Sequence, residues 1–449
     1  MTPSDLFAKY DVPMPRYTSY PTVPQWHQTP TLEEWTTSLT RVAAEPDASM
    51  AVYVHVPFCE SLCTFCGCNT VITRDHGRED PYVDLVLQEL DAYLAAVPSL
   101  ASAPVRQFHL GGGTPTFLSV DALGRLADGI LSRVPARAGV FEGSAEVDPR
   151  VTTPAQLETL AARGFRRVSL GVQDISPEVQ RLVNRVQPLS QTAELCSAAR
   201  SLGYESINFD LIYGLPGQTR ASMIALVHEV LALVPDRLAV YSFARVPWIK
   251  PAQRRFRDDQ IPAGAEKRAL YEVARAALLD AGYIEIGMDH FALPQDALAR
   301  AAHHGGLHRN FMGYTDVRTT TLLGLGVSAI SETAEVYHQN EKVMTVYEKR
   351  VRAGEIPTLR GHVLSAEDRR RRIKIAELMT SFGVRLDSLE AASARLALGS
   401  LVEDGLVRLD GETLTVPAEG RPFLRNAASF FDEYLARENP AGQTYSSSV

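Results

Sequence analysis

Long hydrophobic runs are absent. No apolar stretch in the 449 residues approaches the roughly 20 needed to cross a bilayer. The opening MTPSDLFAKYDVP has neither the basic start nor the apolar segment of a secretory signal, so a cytoplasmic location and no membrane partner are expected. A basic surplus is absent too: 45 Lys and Arg stand against 53 Asp and Glu, a formal net charge of −8. That balance argues against a general nucleic-acid or anionic-membrane binder. Low-complexity tracts are missing. Cysteine is scarce, with five in the chain, which excludes a disulfide-stapled scaffold. What remains is globular material, 45% hydrophobic and 22% charged, long enough for two or three domains.

The cysteines are unevenly placed. Cys196 stands alone in a helical stretch and reads as a small buried hydrophobe, whereas Cys59, Cys63, Cys66 and Cys68 crowd into FCESLCTFCGCN. Such a cluster points to metal ligation. The spacing C-x3-C-x2-C lets Cys59, Cys63 and Cys66 present three thiolates from one loop to three corners of an iron–sulfur cube, leaving one iron open. A structural zinc knuckle is the alternative, but no second cysteine pair or CxxC…HxxxH partner follows. Cys68 lies one residue beyond Cys66, and extended backbone would point the two side chains apart. It is expected near the cluster and not bound to it.

Strand and helix signals alternate after this loop. Apolar β-rich runs occur at 51–58, 106–112, 143–148, 166–173, 206–214 and 237–243, with helical patterns between them and a helix over 263–281 after the sixth. Gly164 and Gly203 sit where helix ends want glycine. Alternating βα units imply an α/β fold with a parallel sheet. Polar residues arrive at successive strand ends: the cysteine loop, Gly111-Gly112-Gly113-Thr114, Glu146 and Asp148, Gln173 and Asp174, and Asp210. Such an array converges on one rim of a barrel, where an open sheet would gather it at a single switch point. A partial (βα)6 TIM-like barrel is therefore expected over 46–345, preceded by a proline-rich arm, 1–45.

Residues 285–345 are rich in glycine and histidine and read as loops suited to close approach of a ligand. Beyond them, 346–449 reads as a small helical C-terminal domain with a wing-like hairpin turning at Asp410-Gly411. The run Arg369–Arg372 reads as a solvated helix face, with contact to an anionic ligand as the alternative. Glycines 111–113 suit backbone approach to a carboxylate or amine, or simply a tight strand–helix turn. Glu146 and Asp210 suit ribose hydroxyls or an ammonium, or are strand-end carboxylates facing solvent.

CESLCTFC followed by GGGTPT resembles the radical S-adenosylmethionine (SAM) superfamily, whose members use a partial barrel. More narrowly, RYTSYPT, YVHVPFC, CTFCGCN, HLGGGTPTFL, EVDPR, GVQD, VQRLVNR, DLIYGLPGQT, GMDHFA, LHRNFMGYT and GLGVSAIS, in order from Arg16 to Ser331, resemble the oxygen-independent coproporphyrinogen III oxidases of haem biosynthesis. The resemblance implies that Cys59, Cys63 and Cys66 hold a [4Fe–4S] cluster whose open iron SAM chelates. A 5′-deoxyadenosyl radical would then take a β-hydrogen from a propionate of coproporphyrinogen III. Loss of CO2 and one electron leaves a vinyl group, and two such events give protoporphyrinogen IX.

The same resemblance implies two SAM molecules per chain. Tyr53, Gly112, Glu146 and Ala244 match positions around the cluster-bound SAM. Phe65, Gly113, Thr114, Gln173, Arg185, Asp210 and Ile330 match positions associated with the second, Ala244 and Ile330 through backbone. His55 shares a strand face with Tyr53 and suits orienting a propionate or supplying a proton, or is a structural histidine. His290, His308 and Arg309 are further candidates for meeting carboxylates. Arg245 departs from the family, which commonly has histidine there, and puts substrate orientation in question. A flavodoxin or ferredoxin as electron donor and a monomeric state complete the implied picture. The rival readings are a haem-binding chaperone of the same superfamily, a radical SAM enzyme acting on haem, and a zinc-stabilised interaction module.

Overall fold

The computed structural model describes residues 3–26, 29–136, 140–437 and 445. Six strand–helix pairs follow in chain order, as the alternation predicts. They are β1 (Met50–Val56) and α1 (Glu79–Ala96), β2 (Val105–Gly112) and α2 (Val120–Leu131), and β3 (Glu142–Val147) and α3 (Pro154–Ala161). Next come β4 (Phe165–Gln173) and α4 (Leu189–Ser201), β5 (Ser206–Tyr213) and α5 (Arg220–Leu231), and β6 (Arg237–Ser242) and α6 (Gly264–Asp280). After α6 lie β7 (Ile284–Gly287), β8 (His290–Ala292), β9 (Thr321–Leu325), β10 (Ile330–Glu332), β11 (Val336–Asn340) and β12 (Thr358–Val363), then α7 (Ala366–Ser381) and α8 (Ser388–Ala397).

Local chemistry sets these boundaries. Thr153 and Gln156 form a reciprocal capping box at the start of α3, as Thr219 and Ser222 do for α5. Just past α3 and α4 the chain turns left-handed at Gly164 (φ +84°) and Gly203 (φ +82°), where other residues would be strained. Cys196 is buried on α4, as expected.

Packing divides the chain into two compact units. One comprises Trp26–Leu211 and Val317–Leu364. In it β1 to β5 lie side by side in chain order, every pair parallel. Met50, Ala51, Val52, Val54 and Val56 of β1 are all fully buried, because a parallel sheet is covered on both faces. On the far side of β1 lies β9, also parallel, with Tyr53 opposite Gly324; β10, β11 and β12 extend the sheet antiparallel. The glycine-rich section thus supplies a buried strand where its composition reads as loop. Gly324 explains why: a Cβ there would lie 2.3 Å from the Ile330 carbonyl oxygen, so its glycine admits the tight return from β9 to β10.

The other unit comprises Met1–Gln25, Ile212–Asp316 and Ser365–Val449, the chain entering it within β5. In it β8 pairs antiparallel with both β6 and β7. The hairpin forms one residue beyond the expected Asp410-Gly411 turn: Asp410 still pairs with Thr413, leaving Gly411 (φ +58°) and Glu412 as a two-residue turn. Tyr17 and Tyr20 are buried in one apolar cluster with Leu378, Met379, Leu414 and Phe431. Burying a side chain of this kind contributes on the order of 1.5–3 kcal/mol. In the arginine run, Arg370 pairs with Glu367 and Glu390, and Arg371 with Glu367 and Glu433.

Candidate active site

The loop after β1 carries the cysteines. Cys63 is buried, Cys59 and Cys66 are half-buried, and Cys68 is exposed. Cys59 Sγ lies 3.4 Å from Thr114 Oγ1, and the Cys68 amide donates to Cys66 Sγ at 3.4 Å. Two guanidinium groups reach Cys63: Arg150 Nη2 at 3.4 Å and Arg185 Nη1 at 3.6 Å from Sγ. Both are held by one acid, Asp148, whose Oδ2 accepts from Arg150 at 2.6 Å and from Arg185 at 3.0 Å. Burial pushes the Asp148 carboxyl up, but the charges and hydrogen bonds of Arg185 and Arg150 outweigh it and hold the group below its ordinary value.

The donor set fits an iron–sulfur cluster. None of the four cysteines is in a disulfide, and the three in C-x3-C-x2-C spacing come from one loop. Among the described residues no three His, Cys, Asp or Glu side chains gather tightly enough to grip a single ion. A cube instead distributes its thiolates over separate irons. Burial pushes the Cys59 thiol up to about 11, so a bound cation is what would keep it ionised.

The end of β2 packs against this loop through its glycines. A Cβ on Gly113 would lie 2.6 Å from the Pro57 carbonyl oxygen, and one on Gly112 (φ +112°) would lie 2.8 Å from the His55 ring. The close approach that requires these glycines is therefore made by the protein's own β1. Gly112 N–H donates to Glu146 Oε2 at 3.3 Å, and His109 Nε2 lies 3.5 Å from Glu146 Oε1. Burial raises the Glu146 carboxyl, yet His109 and the Gly112 amide outweigh it and leave the group below its ordinary value. Tyr53, opposite His109 in the sheet, stacks on it with ring centroids 5.8 Å apart.

His55 is fixed at both nitrogens. Nε2 lies 2.9 Å from the Asn69 carbonyl, which can only accept, so Nε2 carries the proton. Nδ1 then accepts from the Tyr53 hydroxyl at 3.1 Å. Burial lowers the imidazole pKa and favours this neutral form.

Farther along the sheet, Asp210 accepts from Ser169 Oγ and Asn208 Nδ2, each at 2.9 Å. Burial first, and then the Glu146 charge, push its carboxyl up to about 6. Gln173 closes β4 in a left-handed conformation (φ +67°), where the register with β5 shifts. A non-glycine residue held there is a strained position of the kind that clusters at working sites. Arg185 is buried, its Nη2 donating to the Gly171 carbonyl at 2.6 Å. Thr114 is buried, Phe65 half-buried, and Ile330 opens β10.

Cys59, Cys63, Cys66, Tyr53, His55, Phe65, Gly112, Gly113, Thr114, Glu146, Gln173, Arg185, Asp210 and Ile330 thus all belong to one compact unit, and Ala244 to the other. There the Ala244 carbonyl accepts from Gln253 Nε2 at 3.1 Å, and Arg245 pairs with Asp258. His290 and Arg309 lie in that second unit, each against Tyr314; His308 pairs with Thr315 in a short hairpin there.

His109 and Arg150 were not singled out as site residues by sequence reasoning. Both stood in view, in HLGGG and EVDPR. His109 lies two residues before Gly111, hence on the same strand face, but its value depends on lying opposite Tyr53.

A family model described as the radical SAM superfamily matches residues 53–230. A protein of Escherichia coli named oxygen-independent coproporphyrinogen III oxidase is 40% identical over 443 residues, covering 96% of this chain and 95% of its own. One of the same name from Pseudomonas aeruginosa is 39% identical over 453 residues, covering 97% and 96%. A solved structure described as coproporphyrinogen III oxidase from Escherichia coli, a radical SAM enzyme, superposes with a TM-score of 0.88 at 40% identity, over 93% of this chain and 97% of that one.

Fold and site together place the chain in the radical SAM superfamily, whose members work with a [4Fe–4S] cluster and SAM on a partial barrel. Within it, the chain belongs to the oxygen-independent coproporphyrinogen III oxidase family, SAM-dependent oxidoreductases.

Proposed function

We propose that the chain carries out the oxidative decarboxylation of two propionate side chains of coproporphyrinogen III to vinyl groups, yielding protoporphyrinogen IX. The observation that carries this reading is the gathering of the three-cysteine loop, the Asp148–Arg150–Arg185 group and Glu146 in one unit of a chain from this family. With the cluster and SAM bound, the site supplies an adenosyl radical that removes a β-hydrogen from each propionate, after which CO2 and one electron leave.

Cys59, Cys63 and Cys66 would hold the cluster. Arg150 and Arg185 place positive charge beside Cys63. Glu146, kept anionic by His109 and the Gly112 amide, is matched to an ammonium or to ribose hydroxyls of a first SAM, alongside Tyr53 and Gly112. Asp210 is a second and different acid. Protonated in part near pH 6, it both donates and accepts, which suits ribose hydroxyls of a second SAM beside Phe65, Gly113, Thr114, Gln173, Arg185 and Ile330. Two acids in unlike environments support two SAM molecules per chain. His55, neutral and anchored on Asn69, fixes the orientation of the Tyr53 hydroxyl. A flavodoxin or ferredoxin is the proposed reductant, and the working form a cytoplasmic monomer.

An anaerobic assay tests the reading, with reconstituted protein, SAM, a strong reductant and coproporphyrinogen III. The expected result is protoporphyrinogen with two 5′-deoxyadenosines and two CO2 for each product molecule. SAM cleavage with no change in the porphyrinogen would move the substrate elsewhere. If neither occurs on an intact cluster, haem binding is the next measurement, and a positive result there would favour the chaperone.

A further inference from the structure

The second unit contains a pocket that the site above does not use. Its wall carries four arginines, Arg16, Arg268, Arg421 and Arg425, against two carboxylates, Asp289 and Glu285. The acids do not balance the bases. Asp289 is taken by Arg16. Glu285 is shared between Arg421 at 3.4 Å and Arg275, outside the wall, at 3.0 Å. Arg268 reaches Glu272, also outside the wall, and the buried Nε atoms of Arg268 and Arg421 have no hydrogen-bond partner. Arg425 is 7% exposed, and burial, followed by the charge of Arg16, pushes its guanidinium down to about 10.

These groups are held ready for a ligand. Arg421 lies over Phe382 at 4.2 Å, and Arg268 over Phe7 and Tyr271 at 4.7 and 4.6 Å, so the planar forks rest on aromatic faces. Four guanidinium groups crowded on one wall, Arg268 and Arg425 among them buried, are stabilised by an anion. Planar guanidinium forks match a carboxylate, and this wall already engages two carboxylates of its own, each through one guanidinium nitrogen.

We propose that this pocket is a carboxylate-binding subsite, taking either a carboxylate side chain of the tetrapyrrole substrate or a free small carboxylate. The first source rests on the function proposed above; the subsite itself does not.

The test measures equilibrium binding of coproporphyrin III (the stable oxidised form of the substrate), its tetramethyl ester, succinate and inorganic phosphate to the full-length protein. Arg425→Lys, which keeps the charge and removes the fork, and Arg421→Gln, at a more exposed position, are compared with wild type. If Arg425→Lys fails to fold, Arg421→Gln carries the comparison. Coproporphyrin III is expected to lose about tenfold in affinity in both variants while the ester is unaffected. A loss confined to succinate supports the subsite with a free carboxylate as its occupant. Wild-type affinity for both acids in folded variants overturns it, as does failure of the wild-type protein to bind either, or tighter binding of phosphate than of both. Variant-sensitive porphyrin binding by a protein that forms no protoporphyrinogen would keep the subsite and remove the reaction.

Discussion

At the scale of single residues, neighbours decide what a side chain does. Cys63, buried beside two guanidinium groups, and Cys68, exposed with its amide donating to Cys66, are the same chemical group in different settings. Cys63→Ser is expected to abolish the cluster's visible absorption and SAM cleavage together; retained turnover would refute its assignment as a ligand. Cys68→Ser should leave iron and sulfide content near wild type, because the amide contact to Cys66 survives the change. A loss of iron there would make Cys68 a ligand. The ligand loop and the acids at strand ends were legible from spacing and alternation alone. The partners of Cys63 were not, because Arg150 and Arg185 come from separate segments that only Asp148 brings together.

At the scale of elements, α1 is fastened to the β9–β10 turn by one fully buried acid. Glu89 accepts from the Gly326 amide at 2.8 Å, the Tyr347 hydroxyl at 2.7 Å and Asn340 Nδ2 at 2.6 Å. Burial nevertheless pushes its carboxyl from an ordinary 4.5 up to about 7. The folded state therefore binds this proton more tightly than the unfolded chain does. The resulting stabilisation is fully present below about pH 4.5 and is lost as pH rises through about 7. Denaturant melts of wild type and Glu89→Gln should diverge across that window, with wild type losing up to a few kcal/mol relative to the variant as pH rises. Parallel pH profiles would show that the carboxyl does not titrate there. The six barrel strands were legible to within a residue or two because each is an apolar run bounded by turn chemistry. β9 was not, since glycine lowers strand propensity and the need for Gly324 arises only from the approach of Ile330.

At the scale of the whole molecule, one compact unit is assembled from three separate stretches of chain. The first stretch is proline-rich and irregular, and nothing in its pattern announces that Tyr17 and Tyr20 belong with Leu378, Leu414 and Phe431. The Tyr17 hydroxyl also donates to Asp432 at 3.1 Å. Tyr17→Ala should therefore destabilise this unit by about 3–5 kcal/mol, the range for removing a buried aromatic ring. Thermal melts would register the loss, and a change below about 1 kcal/mol would mean that the stretch merely rests on its neighbours.

That three-part construction bears on how the protein is made. Tyr17 and Tyr20 leave the ribosome well before the helices that cover them are translated. At about 5–20 residues per second, these rings wait roughly 20 to 80 seconds without their native partners. Ribosome-bound chains arrested before Ser365 should then be cut readily by protease near Tyr17, and chains extended past Phe431 should resist. The two stretches thus mature together, and an interrupted synthesis leaves the earlier one exposed.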